Sequence, residues 1–216
     1  MNLTPIAHYR SPLREKFGCP RQSGLAPALA GEIVFEPPYD NPDAWRGLEG
    51  FTYIWLIWGF HANHEQTAWS PTVRPPRLGG NRRLGVFATR SPYRPNPLGL
   101  SSARLGECRD GKLIVYGADL MDGTPIYDIK PYIPYTDSHP DAAAGFVDES
   151  PWQELEVVLP EGLTLPEGAL EVLRQDPRPQ YHRDPDRVYG LTYGDREIHF
   201  TVSGHVLYVQ AVTPSR

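Results

Sequence analysis

The sequence predicts a mainly β chain, with an antiparallel barrel or closed sheet followed by a small α+β domain. Its 24 Pro and 20 Gly in 216 residues break the chain at short intervals and leave few stretches long enough for helix. Between those breaks, β-branched and aromatic runs recur without the alternation of strand and helix that marks a parallel sheet. A composition of 40% hydrophobic and 22% charged residues supports one ordinary core, or a core with a small satellite.

Ile6–Tyr9 and Gly31–Glu36 read as short strands separated by a loop rich in Pro, Gly and Arg, and Phe51–Phe60 is a β-branched and aromatic run. That run is too short to span a bilayer as a helix, so it reads as a buried strand. Leu84–Thr89 reads as a further strand. Leu100–Cys108 turns at Asp110-Gly111 into Lys112–Met121, and Asp122-Gly123 closes a second hairpin into Pro125–Ile133. These six or seven strands with close turns favour a barrel.

The polar, small-residue stretch Asp137–Pro151 reads as a linker. Pro166–Arg174 follows as the best helix, with Pro at its start and Ala169, Leu170 and Leu173 at helical spacing. Three strands, Arg187–Tyr193, Arg196–Ser203 and His205–Val212, complete an α+β unit broken at Gly194-Asp195 and Ser203-Gly204. The division is residues 1–140 and 141–216.

Two cysteines, Cys19 and Cys108, are too few for a disulfide framework. With no apolar signal segment after Met1, a cytoplasmic location and no membrane partner are expected. The net charge of −5 argues against a polyanionic partner, but its distribution argues for one. From Gln66 to Gly106 there is no Asp or Glu, while Arg74, Arg77, Arg82, Arg83, Arg90, Arg94 and Arg104 all fall there. Guanidinium groups are planar forks suited to carboxylate and phosphate.

"TRSPYRPNPLGL", Thr89–Leu100, sets Arg90, Tyr93, Arg94 and Asn96 among three prolines, and "QDPRPQY", Gln175–Tyr181, sets Arg178 and Tyr181 in the same way. Proline lowers the entropy lost when such a loop orders on a ligand. "DLMDGTPIYDIKPY" gathers Asp119, Asp122, Asp128 and Lys130. "HANHE" lacks the His-Glu-x-x-His zinc pattern, and no nucleophile elbow or dinucleotide-binding glycine turn is present, so no metal is expected.

"PRQSGL" (Pro20–Leu25), "RGLEGFTYIWLIWGFH" (Arg46–His61), "PTVRPPRLGGNRRLGVFATRSPYRPNPLGLS" (Pro71–Ser101), "DLMDGTPIYDIKPYIPY" (Asp119–Tyr135) and "QDPRPQY" resemble the TsaA-like or YaeB-like family, whose bacterial members are the TrmO tRNA methyltransferases. The likeness runs over nearly the whole chain. It implies a single-sheet barrel, a small C-terminal α+β domain and a homodimer. It also implies S-adenosylmethionine as methyl donor and, as acceptor, the exocyclic nitrogen of N6-threonylcarbamoyladenosine beside the anticodon of tRNA.

The resemblance further implies cofactor contacts at Pro20, Arg21, Gln22, His61, Ala62, Arg90, Leu100, Asp119, Leu120, Met121 and Asp122. The acceptor N–H is a poor nucleophile until its proton starts to leave, which makes Asp122 and Asp128 candidate bases and Asn96 a candidate for orienting the substrate carbonyl. Arg74, Arg77, Arg82 and Arg83 are candidates for tRNA phosphates, and Arg94, Lys130, Arg178 and Tyr181 for the modified base and its neighbours. The C-terminal unit is expected to select the substrate. A non-catalytic RNA-binding or adenosine-nucleotide-binding module is the alternative, and a metal hydrolase on His61, His64 and Glu65 is a third reading.

Overall fold

Alternating burial makes the first sheet. In β3 (Tyr53–Gly59) Ile54, Leu56 and Trp58 point inward while Tyr53, Trp55 and Ile57 line the outside, the two-residue period of a strand with one wet face. The computed structural model of the chain describes residues 2–62, 69–75, 82–149, 153–179, 182 and 184–215. Six strands close into a barrel: β1 (Ala7–Arg10), β2 (Ala30–Phe35), β3, β6 (Leu98–Arg109), β7 (Lys112–Tyr116) and β8 (Pro125–Pro131). Their order around the ring is β1-β2-β7-β6-β3-β8. Tyr9, Ile33, Ile54, Leu56, Leu113, Val115 and Ile126 fill the interior without solvent exposure, each such side chain worth about 1.5–3 kcal/mol of burial.

The pairing differs from expectation in two places. Leu84–Thr89 is not a barrel strand: only β5 (Leu84–Gly85) pairs, with β4 (Thr72–Val73), in a separate two-stranded ribbon. The chain then enters a 3-10 turn at Val86–Ala88, where Val86 alone is buried, because the prolines that follow cannot extend a ladder. Asp122-Gly123 is not a hairpin either. β7 ends at Tyr116, Gly117 has φ +73°, and β7 and β8 stand three places apart on the ring. The stretch between them therefore crosses one end of the barrel, and Ala118 and Leu120 plug that end.

Beyond α1 (Pro134–Asp137), the second unit packs α2 (Glu167–Arg174) on a sheet of order β10-β11-β12-β9, built from β9 (Glu156–Val158), β10 (Tyr189–Tyr193), β11 (Arg196–Ser203) and β12 (Val206–Pro214). The sheet has a fourth strand where three were expected, since β9 pairs parallel to β12. Ala169, Val172 and Leu173 form the buried stripe of α2.

The core of this unit also holds Leu13, Ala26 and Leu29, and Phe17 packs against it. The β1–β2 loop thus belongs to both units. Gly18, at φ +91°, lies against Leu191 and Val172, where a Cβ would overlap the Leu191 side chain. Ala28 N–H donates to Glu171 Oε2 at 2.6 Å, and Gly194 N–H to Pro12 O at 2.8 Å. Among the described residues no helix is long and apolar enough to cross a membrane.

Candidate active site at one end of the barrel

Strand register decides which loops meet. Gly59 pairs with Leu98, Ala30 with Tyr116, and Trp58 with Ile126. One end of the barrel therefore gathers the β1–β2 loop, the residues after β3, the proline loop before β6 and the β7–β8 crossing. Pro20–Gln22, His61-Ala62, Arg90 and Asp119–Asp122 lie on these four segments.

Backbone bonds join the segments. Gly24 N–H donates to Gly117 O at 2.8 Å, Gly117 N–H to Leu29 O at 2.9 Å, and Asp122 N–H to Leu13 O at 2.8 Å. Asp122 Oδ1 accepts Ser11 N–H at 2.9 Å, which fixes the crossing on the end of β1. Phe60 N–H donates to Pro97 O at 2.9 Å and brings the His61 turn beside the proline loop. Within that loop Arg94 Nη1 donates to Thr89 O at 3.1 Å and Ser91 O at 3.4 Å. One face of Arg94 thereby shapes the loop that carries it.

A polar chain runs from the barrel interior into this end. Trp58 Nε1–H donates to Ser101 Oγ at 3.0 Å, and the Ser101 hydroxyl donates to Asp119 Oδ1 at 2.5 Å. Trp58 can lie there because position 99 is glycine, since a Cβ would overlap the indole. Asp119 also accepts the Ser23 backbone N–H and feels the positive charge of Arg90. The Arg90 guanidinium donates to Gln22 Oε1.

Burial raises the Asp119 carboxyl above its ordinary value, although Ser101, backbone donors and Arg90 all favour the anion. The same enclosure, with Asp119 nearby, pushes the Cys19 thiol up to about 12 and so keeps it an unreactive thiol. Partial burial lowers His61 below its usual value, while its bond to the Asp122 backbone works in the other direction. The imidazole is therefore neutral at pH 7. Its second ring nitrogen can accept a proton.

A cavity of about 150 Å³ lies between the β1–β2 loop and α2, lined by Lys16, Cys19, Arg21, Val172, Gln175 and Asp176 among others. A wider, open depression of about 870 Å³ lies at the opposite end of the barrel, by Trp45, Glu49 and Arg109, and holds none of the candidate residues.

A family model described as the tRNA-methyltransferase O N-terminal domain matches residues 8–138, and one described as the TrmO C-terminal domain matches residues 159–215. The chain belongs to the tRNA-methyltransferase O family. It is 44% identical to a protein of Escherichia coli K12 named tRNA (adenine(37)-N6)-methyltransferase, over 97% of this chain and 96% of that one. A human protein of the same name is 38% identical over 62% of this chain and 30% of its own. A crystal structure of TrmO from Pseudomonas aeruginosa superposes with a TM-score of 0.79 at 34% identity, covering 99% of this chain and 98% of that one.

Other sequence candidates lie outside this cluster. Asp128 accepts Ile129 N–H at 2.9 Å and pairs with Lys130 at 2.8 Å. Both are on β8, opposite Ile57 and Trp55, on the outer wall of the barrel. Leu100 is also on the outer wall, 58% exposed. Asn96 is exposed on the proline loop two residues before β6, at the candidate end but with no bond to the cluster among the described residues, and Arg74 and Arg83 are exposed beside the β4–β5 ribbon.

Arg178 donates to both oxygens of Asp176, at 2.8 and 2.9 Å, and its side chain is only 13% exposed. Its fork braces the turn after α2. Arg77, Tyr181, His64 and Glu65 lie outside the described residues, and among the described residues no group of three or more His, Cys, Asp or Glu stands together as a metal site. Ser101, Trp58 and Glu171 join the polar and loop-holding contacts; Trp58 and Ser101 lie within the family-like stretches but take no role in the sequence reading, because they sit on regular strands, and Glu171 sits on a helix face.

Proposed function

We propose that the chain transfers a methyl group from S-adenosylmethionine to the exocyclic nitrogen of N6-threonylcarbamoyladenosine at position 37 of tRNA, beside the anticodon. The observation that carries this reading is the likeness, over 97% of the chain, to a relative named tRNA (adenine(37)-N6)-methyltransferase. The donor set at the barrel end supports the cofactor: a guanidinium steadied by Gln22, an enclosed carboxylate, and backbone groups of the crossing.

S-adenosylmethionine, when bound, supplies an electrophilic methyl group beside a sulfonium charge. Arg90 and Arg21 offer forks for a carboxylate, Gln22 an amide, and Asp119 an acceptor for hydroxyl or amine donors. The backbone of the crossing at Leu120 and Met121, with Pro20 and Ala62, would hold the same ligand. The work of such a site is alignment and exclusion of water. The acceptor nitrogen has a delocalised lone pair, so its proton must leave as the new N–C bond forms and the methyl–sulfur bond breaks, the pair going to sulfur. His61, neutral and bonded to the Asp122 backbone, and the remaining oxygen of Asp122 are the candidate acceptors for that proton. In this reading Asn96 and the outer face of Arg94 hold the carbonyl and carboxylate of the modified base. Asp128 and Lys130, paired on the outer wall, are assigned no step.

Arg74 and Arg83 serve the phosphates of tRNA, in the cytoplasm. The outer wall of β3 and β6 exposes Tyr53, Leu98 and Leu100, and a homodimer through that wall would let Leu100 reach a cofactor held by the second copy. In this reading the C-terminal unit holds the β1–β2 loop in place as well as selecting tRNA. Nucleoside mass spectrometry tests the function. Incubation with S-adenosylmethionine should add one methyl to threonylcarbamoyladenosine in tRNA, and none to tRNA lacking that modification. Binding of both ligands without turnover would reduce the chain to a nucleotide-binding module.

A further inference from the structure

Two rings stand out on the acid-free segment. Trp69 and Phe87 are 52% and 73% exposed, yet they are stacked on each other with centroids 6.4 Å apart and planes 29° apart. The β4–β5 ribbon fixes the backbone on both sides, through the pairs Thr72 with Gly85 and Val73 with Leu84 and through Val86 N–H to Pro71 O at 2.9 Å. Val86 is the residue that turns inward here, and Phe87 is left outside. Tyr93, 46% exposed, lies on the loop that continues from it.

The position relative to the candidate site is set by covalent geometry. Phe87 precedes Arg90 by three residues, so their backbones are separated by at most about 10 Å. That span is about three base steps of a strand rising ~3.4 Å per nucleotide.

We propose that the Trp69–Phe87 pair is a stacking platform for unpaired bases of the substrate strand next to the methylated base, with Arg74 and Arg83 on the adjoining phosphates. The proposal rests on the tRNA reading above. Charge complementarity selects the occupant. From Gln66 to Gly106 the chain carries seven Arg and no acid, so a polyanion fits. A second copy meeting this same patch about a two-fold axis would set arginine against arginine. Aromatic faces accept any base, which suits a platform flanking the base that is read.

The test uses the full chain with Trp69→Ala, Phe87→Ala and Phe87→Tyr. Affinity for substrate tRNA is measured over a salt series, cofactor affinity by calorimetry, folding by thermal melting and mass by sedimentation. Each alanine variant should bind tRNA roughly 5- to 150-fold more weakly, the range for one lost base stack. The slope of log affinity against log salt should be unchanged, since no phosphate contact is lost. Phe87→Tyr should restore binding, and RNA should quench less tryptophan fluorescence in Trp69→Phe than in the wild type. Unchanged tRNA affinity in both alanine variants overturns the platform, as does an altered salt slope. Loss of a dimer with RNA affinity intact assigns the patch to a second copy instead. Failure of the wild-type chain to bind tRNA at all would sink the functional reading itself.

Discussion

The Ser101 hydroxyl donates to the Asp119 carboxylate at 2.5 Å and so ties the interior of the barrel to the end where the candidate residues gather. Burial holds the Asp119 carboxyl above its ordinary 3.8. Between 3.8 and the raised value the folded chain therefore binds more protons than the unfolded chain, and this group's contribution to stability falls as pH rises through that window. Asp119→Asn removes that dependence. Its thermal stability at pH 7 should equal or exceed the wild type's, while calorimetry should show weaker cofactor binding. A large loss of stability at pH 7 would mean that the carboxylate is needed by the fold.

Arg90 meets Gln22 at the same end. Arg90→Ala should weaken S-adenosylmethionine binding by about 1.5–3 kcal/mol, the worth of a hydrogen bond to a charged group. Arg90→Lys should recover little, because an ammonium cannot present a fork. Unchanged affinity in the alanine variant would remove Arg90 from the site.

Arg74 and Arg83 are exposed at the ribbon. Replacing both by Ala should raise the KM for tRNA with cofactor affinity nearly intact, and the salt slope should fall by about 0.7–0.9 per lost contact. Arg82 is a poorer candidate. It pairs with Glu149 at 2.6 Å, an exposed bond worth little to the fold but one that already occupies part of the guanidinium.

Sequence reading places the methyl-transfer centre in the barrel and leaves the second unit to select tRNA, yet Leu13, Ala26 and Leu29 are buried in the core of that second unit. Removing residues 149–216 should expose them and loosen Pro20–Gln22, so cofactor binding should fall along with tRNA methylation. Glu171→Ala, which removes the acceptor of Ala28 N–H, should lower cofactor affinity without unfolding the chain. A truncated chain that binds S-adenosylmethionine as tightly as the whole would confine the second unit to tRNA.

Much of this was legible because it is local. β1 to β3, the C-terminal hairpins and α2 follow from alternation, turn glycines and helical spacing. The β7–β8 crossing was not, since β7 pairs with β2 and β6 while β8 pairs with β1 and β3, and no local pattern distinguishes a crossing from a hairpin at Asp122-Gly123. β9 escaped notice because three residues with one partner strand make a weak signal. Arg90 stood out among prolines and Gln22 came only through the family likeness, whereas Ser101 and Trp58 looked like ordinary strand residues. Arg178 is the converse case. A proline-caged arginine looks free for a ligand until Asp176, two residues away, is seen to hold it.

The central claim is that four segments at one end of the barrel build the methyl-transfer site, and a crystal structure of the chain with S-adenosylhomocysteine tests it most directly. The account predicts density for the ligand among Pro20–Gln22, His61, Arg90 and Asp119–Asp122, within hydrogen-bonding distance of Arg90 or Gln22. Density in the open depression beside Trp45, Glu49 and Arg109, with the first end empty, would contradict it.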